Sequence, residues 1–314
     1  VSTIIEDVRK NGDKALVKYD NKFENKKATL SSLIIKPKVL KEAYNSITKN
    51  QREALNLAYD RINFYHSHQI KKNHKFKDKL DTTFSIQWNP IENIGLYIPG
   101  GLASYPSTVL MTAIPAKIAG VKNIMISVPS AEGKVSKLTL AAAYLCKVNK
   151  VYNMGGAQAI AAFAFGTKTI QKAFKVFGPG NQFVAEAKKQ LFGTIGIDLP
   201  AGPSEILVLA DMYSKPDLIA LDILAQAEHD PHAKTYLVST SKTLIQEVIQ
   251  KIKETQKIHK FKNATESLKN FSYAILAKNS LEMIEISNFI APEHLHIHMK
   301  DSSQIEQNIV NAGS

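Results

Sequence analysis

Ile94-Gly95-Leu96-Tyr97-Ile98-Pro99-Gly100-Gly101, residues 94–101, joins a short apolar run to a Pro-Gly-Gly loop. Five apolar or small residues bounded by turn formers predict a buried strand. Helical spacing then resumes over 107–119. The same unit recurs downstream. Strands are expected at 123–128, 150–153 and 174–177, each followed by a helical pattern at 138–147, 157–165 and from 181 through 191. Strands alternating with helices imply right-handed βαβ units on a mainly parallel sheet. The pattern restarts after Pro203, with strands at 206–210, 235–239, 273–277 and 294–299, and helices at 217–228, 242–255 and 281–289. Upstream, residues 1 to about 80 read as helices, with Asn11-Gly12-Asp13 as punctuation and one long helix over 40–67. The fold class is α/β: two Rossmann-like parallel-sheet units with a helical N-terminal segment. The expected organisation is a discontinuous α/β domain of 1–96 plus 205–314, with 97–204 inserted as a second α/β domain.

The chain has 314 residues, 44% hydrophobic and 22% charged, which fits a globular protein and excludes a disordered one. No apolar run reaches about 18 residues, so no membrane span is expected. One cysteine permits no internal disulfide and suits a reducing cytosol. The net charge is +12, yet only Arg9, Arg52 and Arg61 are arginines. Arginine is the side chain whose planar fork reads base edges and grips phosphates, so lysine-rich solvated faces are favoured over a nucleic-acid surface. The chain opens at Val1 with no leader-like composition and closes on Asn311-Ala312-Gly313-Ser314, so both ends read as cut.

Ligands of open parallel sheets bind at the carboxyl ends of strands. Four glycine loops are expected there: Pro99-Gly100-Gly101, Gly155-Gly156, Gly178-Pro179-Gly180-Asn181 and Ala201-Gly202-Pro203-Ser204. None is a full dinucleotide fingerprint, because Phe183 stands where a third glycine would. Ordinary tight turns explain any one of them equally well. Gln226 and His229, three apart on one helix face, offer an amide oxygen and an imidazole nitrogen to a zinc ion, although helix-end polar residues remain the plainer reading. Glu293 and His294, adjacent between a helix and a strand, offer a carboxylate and an imidazole for acid–base work; a capping turn is the alternative. His294, His296 and His298 share one strand face, which reads as solvated because no other ligand is in view. His66, His68 and His74 read as a polar helix end, and Cys146 as a buried thiol.

Together these pieces resemble the histidinol dehydrogenase family. The resemblance rests on residues 94–101, Tyr105-Pro106-Ser107-Thr108-Val109-Leu110-Met111, 113–121, Gly155-Gly156-Ala157-Gln158 through Ala162, and Phe177-Gly178-Pro179-Gly180-Asn181. It continues through Asp198-Leu199-Pro200-Ala201-Gly202-Pro203-Ser204-Glu205, Gln226-Ala227-Glu228-His229 and Pro292-Glu293-His294-Leu295. It implies an aldehyde-dehydrogenase-like arrangement and a zinc-dependent cytoplasmic homodimer, with one zinc per subunit. The family's reaction is the oxidation of L-histidinol to L-histidine through a bound aldehyde, using two NAD, the last step of histidine biosynthesis. By motif, Tyr97, Gln158 and Asn181 resemble NAD contacts, which makes 97–204 the NAD-binding domain. Gln226 and His229 resemble zinc ligands that also meet the substrate, Ser204 a substrate contact, and Glu293 and His294 the catalytic pair. The resemblance also implies that a tail after Ser314, which crosses to the partner subunit, supplies the remaining zinc and substrate ligands. Two alternatives stand beside it: a truncated homologue that only binds ligand, and another NAD-dependent aldehyde or alcohol dehydrogenase.

Overall fold

The strand before the Pro-Gly-Gly loop forms over Asn93–Tyr97 and is buried along its whole length. This is the signature of a strand covered on both faces. The computed structural model describes residues 1–23, 27–100, 104–130, 133–199, 204–259 and 261–314. By its contacts the chain falls into two units, Val1–Pro200 and Ala201–Ser314.

The first unit opens with α1 (Ser2–Asn11) and α2 (Asp13–Phe23). Gly12, at φ 51°, closes α1 by donating its N–H to the Val8 carbonyl at 2.9 Å. After β1 (Ile34–Ile35) come α3 (Pro37–Ser46) and α4 (Lys49–Ser67). The single helix expected over 40–67 is therefore two. The Thr48 hydroxyl accepts the Gln51 N–H at 3.2 Å, and the Gln51 side chain accepts the Thr48 N–H at 3.0 Å. This reciprocal cap starts a new helix and contributes about 1 kcal/mol. An exposed antiparallel hairpin, β2 (His74–Lys77) and β3 (Thr83–Ile86), follows where helix was expected. Asp78 shapes its turn by accepting the N–H groups of Leu80 and Thr82, each at 2.9 Å.

The alternating part then runs β4 (Asn93–Tyr97), α5 (Pro106–Ile118), β5 (Asn123–Val128), α6 (Lys137–Leu145), β6 (Lys150–Asn153), α7 (Gly156–Phe165), β7 (Lys175–Phe177), α8 (Gln182–Leu191) and β8 (Gly196–Ile197). The sheet order is β1-β6-β5-β4-β7-β8, parallel except for β1. Strand alternation sorts the core into two layers. Ile94, Leu96 and Ile98 join the side chains of α3, α5 and α6. Tyr97, Met125, Tyr152 and Val176 join those of α1, α2, α7 and α8. Within this unit α1 packs on α7 and α3 on α6. An apolar helix stripe says that a helix is packed, but not on which sheet.

One buried charge has a measurable consequence. Asp20 on α2 is 1% exposed, and neither carboxyl oxygen meets a partner among the described residues. Burial pushes its pKa up to about 6. The folded chain therefore holds this proton more tightly than the unfolded chain, whose aspartates titrate near about 4. Its contribution is intact below that pH and is lost as pH rises through the folded value. Asp20→Asn should remove this dependence and raise stability at neutral pH by as much as about 3 kcal/mol. Thermal unfolding of both proteins from acid to neutral pH checks it.

The second unit comprises β9 (Glu205–Ala210), α9 (Pro216–His229), β10 (Lys234–Ser239), α10 (Lys242–His259), α11 (Lys262–Asn270), β11 (Ser272–Leu276), α12 (Ser280–Ile290), β12 (His294–His298) and α13 (Ser302–Glu306). Its sheet is fully parallel, in the order β11-β10-β9-β12. Ile206, Val208 and Leu237 pack with α9 and α10. Leu207, Leu209 and Val238 pack with Met283, Ile284 and Ile305. Among the described residues no helix is long and apolar enough to cross a membrane.

Candidate active-site residues in the two units

In the first unit the candidates lie at the carboxyl ends of the parallel strands. Tyr97 ends β4, and its hydroxyl accepts the Gly156 N–H at 3.1 Å. Gln158, in the first turn of α7, is buried, and its Nε2 has no partner among the described residues. A buried amide donor without an acceptor costs about 1–3 kcal/mol, which a ligand or a water can recover. Asn181 caps α8, its Oδ1 accepting the N–H groups of Phe183 (3.1 Å) and Val184 (3.2 Å). Glycines keep the backbone of this edge bare. Gly178 adopts φ 112°, and a Cβ there would stand 2.0 Å from the Tyr97 carbonyl oxygen. The orphaned Gln158 amide, the bare loops and the α8 N-terminus suit a dinucleotide. Gly101 and residues 201–203 of the expected loops lie outside the described residues.

A buried lysine and a partly buried aspartate support this edge from beneath. Lys188 Nζ donates to Asp198 Oδ1 at 2.6 Å and to the Gly178 carbonyl, while Asp198 Oδ2 accepts the Gly178 N–H at 2.6 Å. The sequence reading gave neither residue a role. The signal was present: Lys188 occupies the apolar stripe of α8 with Val184, Ala187 and Leu191. Lys188→Met should leave Asp198 and the Gly178 carbonyl without their donor. The expected cost is about 2 kcal/mol, read as a lower urea midpoint with an unchanged slope.

In the second unit the candidates lie at the amino-terminal edge of the sheet. Ser204 directly precedes β9, and its carbonyl accepts the Lys234 N–H at 3.0 Å where β10 begins. Gln226 and His229 close α9, just before the turn into β10. Neither side chain is engaged by a described residue. An amide oxygen and an imidazole on one helix face are proper zinc donors, and a helix C-terminus favours a cation. The residues present therefore fit two positions of a zinc site.

Glu293 and His294 lie at the same edge, where β12 begins. Helix α12 stops at Ala291, left-handed at φ 52°, followed by Pro292. Glu293 Oε2 accepts the Glu205 N–H at 3.2 Å, and so sits beside the Ser204 segment. His294 Nε2 lies 3.9 Å from Glu293 Oε1, and both side chains are about half exposed. His294 Nδ1 pairs with Ser314 Oγ at 2.8 Å. The Gly313 and Ser314 N–H groups donate to the Pro292 and Glu293 carbonyls, each at 3.0 Å, and a Cβ on Gly313 would meet the Glu293 carbonyl oxygen at 2.6 Å. Residues 313–314 thus clamp the Glu293-His294 turn, a role the sequence reading did not give them.

Of the discounted histidines, His66 and His68 sit at the end of α4 as expected, whereas His74 stands in strand β2. His66 Nδ1 pairs with Gln69 Oε1 at 2.6 Å, and His68 Nδ1 with the Phe64 carbonyl at 2.8 Å, both on the chain's own helix end. Cys146 is fully buried, and burial pushes its thiol up to about 12, far from a reactive thiolate.

A family model described as histidinol dehydrogenase matches residues 1–314. The chain belongs to the histidinol dehydrogenase family. That family catalyses the final step of histidine biosynthesis. The histidinol dehydrogenase of Brucella suis biovar 1 (strain 1330) is 41% identical over 315 residues, which span 100% of this chain and 73% of the relative. That of Acinetobacter baylyi is 43% identical over 316 residues, spanning 100% and 74%. The crystal structure of histidinol dehydrogenase from Elizabethkingia anophelis matches with a TM-score of 0.95 at 35% identity, covering 99% of this chain and 72% of that one. An acetylating aldehyde dehydrogenase from Geobacillus thermoglucosidasius matches at 0.52 and 13% identity, covering 99% and 85%, and shares the fold alone.

Proposed function

We propose that this histidinol dehydrogenase family member oxidises L-histidinol to L-histidine through bound L-histidinaldehyde, with two NAD and one zinc per subunit, in a cytoplasmic homodimer. Tyr97, Gln158 and Asn181 hold NAD. Gln226 and His229 supply two zinc ligands that also contact the substrate, and Ser204 binds substrate. Family membership supports the substrate, and the geometry at Glu293 and His294 carries the mechanism. When bound, zinc anchors the substrate's nitrogens and NAD accepts each hydride.

The chain's own groups handle the protons. His294 is held by Ser314 at Nδ1, which leaves Nε2 for the proton of the substrate hydroxyl. Loss of that proton and of a hydride from the same carbinol group yields the aldehyde. A second hydride can leave only after water adds to the aldehyde carbon. Glu293 is held by the Glu205 N–H at Oε2, which leaves Oε1 for the proton of that water. The hydrate then loses a hydride and a proton to give the carboxylic acid. Ser204 and the helix-end pair contribute orientation.

Product stoichiometry tests the reading. With zinc and NAD, the protein should form two NADH and one L-histidine for each L-histidinol consumed. Reduction of NAD by simple alcohols or aldehydes as fast as by L-histidinol would place the chain among other dehydrogenases.

A further inference from the structure

Strand β12 carries His294, His296 and His298 on one face, and the strand pattern alone leaves that face solvated. The fold brings a carboxylate to it from 74 residues upstream. Asp222 stands on α9, one helical turn before Gln226. Its Oδ2 lies 2.9 Å from His296 Nδ1 and 2.8 Å from His298 Nε2. The three donor atoms fall within 4.8 Å of one another. A tetrahedral ion bound at about 2.0–2.1 Å would set its ligand atoms roughly 3.3 Å apart. The two carboxylate–imidazole pairs need to open by only a few tenths of an ångström.

The arrangement is also held and reachable. Leu295 and Ile297, on the other face of β12, are packed into the core, so a register slip would cost that whole apolar set. The Asp222, His296 and His298 side chains are 29%, 45% and 26% exposed, which leaves room for an ion and its waters. Each imidazole can offer a lone pair once its proton sits on the far nitrogen, Nε2 of His296 and Nδ1 of His298. Two imidazoles and one carboxylate suit zinc and the other late first-row divalent ions, not the oxygen-seeking calcium or magnesium.

We infer that Asp222, His296 and His298 form a second divalent-cation site of this protein, selective for zinc-like ions and open to water at its remaining positions. The site uses none of the side chains proposed for the catalytic zinc and does not depend on that reading.

Zinc binding to the whole chain tests it, by equilibrium dialysis and by the histidine ring resonances in NMR. The ring resonances of His296 and His298 should shift as zinc is added to the unaltered protein. One equivalent of zinc should be lost, or weakened at least about tenfold, in His296→Asn/His298→Asn and in Asp222→Asn, and kept in His229→Ala. Ring resonances of His296 and His298 that stay still overturn the inference, whatever the variants do. Unchanged zinc stoichiometry in folded Asp222→Asn and His296→Asn/His298→Asn proteins overturns it as well.

Discussion

His294→Asn should lower histidinol turnover by about 100- to 10,000-fold while zinc and L-histidinol still bind. The asparagine amide can occupy the place of Nδ1 beside Ser314, so the turn built by residues 291–294 and clamped by Gly313 and Ser314 is kept. What disappears is the second ring nitrogen, the atom proposed to take the hydroxyl proton. The pH limb that a general base imposes on turnover should vanish with it, whereas loss of a merely structural residue would leave its shape intact. Steady-state NADH formation against pH, with zinc content and histidinol affinity measured on the same protein, separates the two. A variant turning over at the normal rate would show that another group takes the proton.

Gly178→Val is expected to be the most damaging single substitution in the first unit. At φ 112° the valine backbone is strained, and its Cβ would meet the Tyr97 carbonyl oxygen at 2.0 Å and the Tyr97 nitrogen at 3.2 Å. Those atoms are strand backbone and cannot turn aside. The substitution also displaces the groups that Asp198 and Lys188 hold. More than about 4 kcal/mol should be lost, a fall of roughly 8–16 °C in the unfolding temperature for a unit of this size. Gly193→Ala is the control. Gly193 also has a left-handed φ, 94°, but nothing lies within 4 Å of its added Cβ. It should cost only about 1–2 kcal/mol. Equal effects at the two positions would mean that the close approach of the β7 loop to Tyr97 is not what requires glycine.

The sequence carried the alternating part of the fold because buried parallel strands announce themselves. The run Ile124-Met125-Ile126 is apolar without alternation and Pro129 closes its segment; the strand forms at 123–128, as the shorter one does at 150–153. Charge-rich segments were harder to read. Lys75, Phe76 and Lys77 alternate, yet the exposed hairpin they begin has no buried face to mark it. The break at Thr48 was written in Thr-x-x-Gln, but the apolar stripe of a longer helix masked it. The helix at Lys262–Asn270 buries little beyond Ala264 and Ser267, too faint a stripe to stand out.

For the candidate site, legibility followed distance along the chain. Gln226 with His229 and Glu293 with His294 are local pairs, so spacing marked them as candidates and the family resemblance supplied their roles. Asp222 could not be joined to His296 and His298 without knowing that α9 crosses beside β12. Ser314 reaches His294 by a side-chain contact, and Gly313 serves the same turn through backbone groups, so residue type alone does not announce either role.

In the proposed function the amino edge of the second sheet holds histidinol through a metal at Gln226 and His229, and Glu293 and His294 act on it there. Calorimetric titration of L-histidinol into zinc-loaded protein tests this most directly. The unaltered protein and His294→Asn should bind with similar affinity, and Gln226→Ala/His229→Ala at least about tenfold more weakly. Undiminished binding by that double variant would contradict the account.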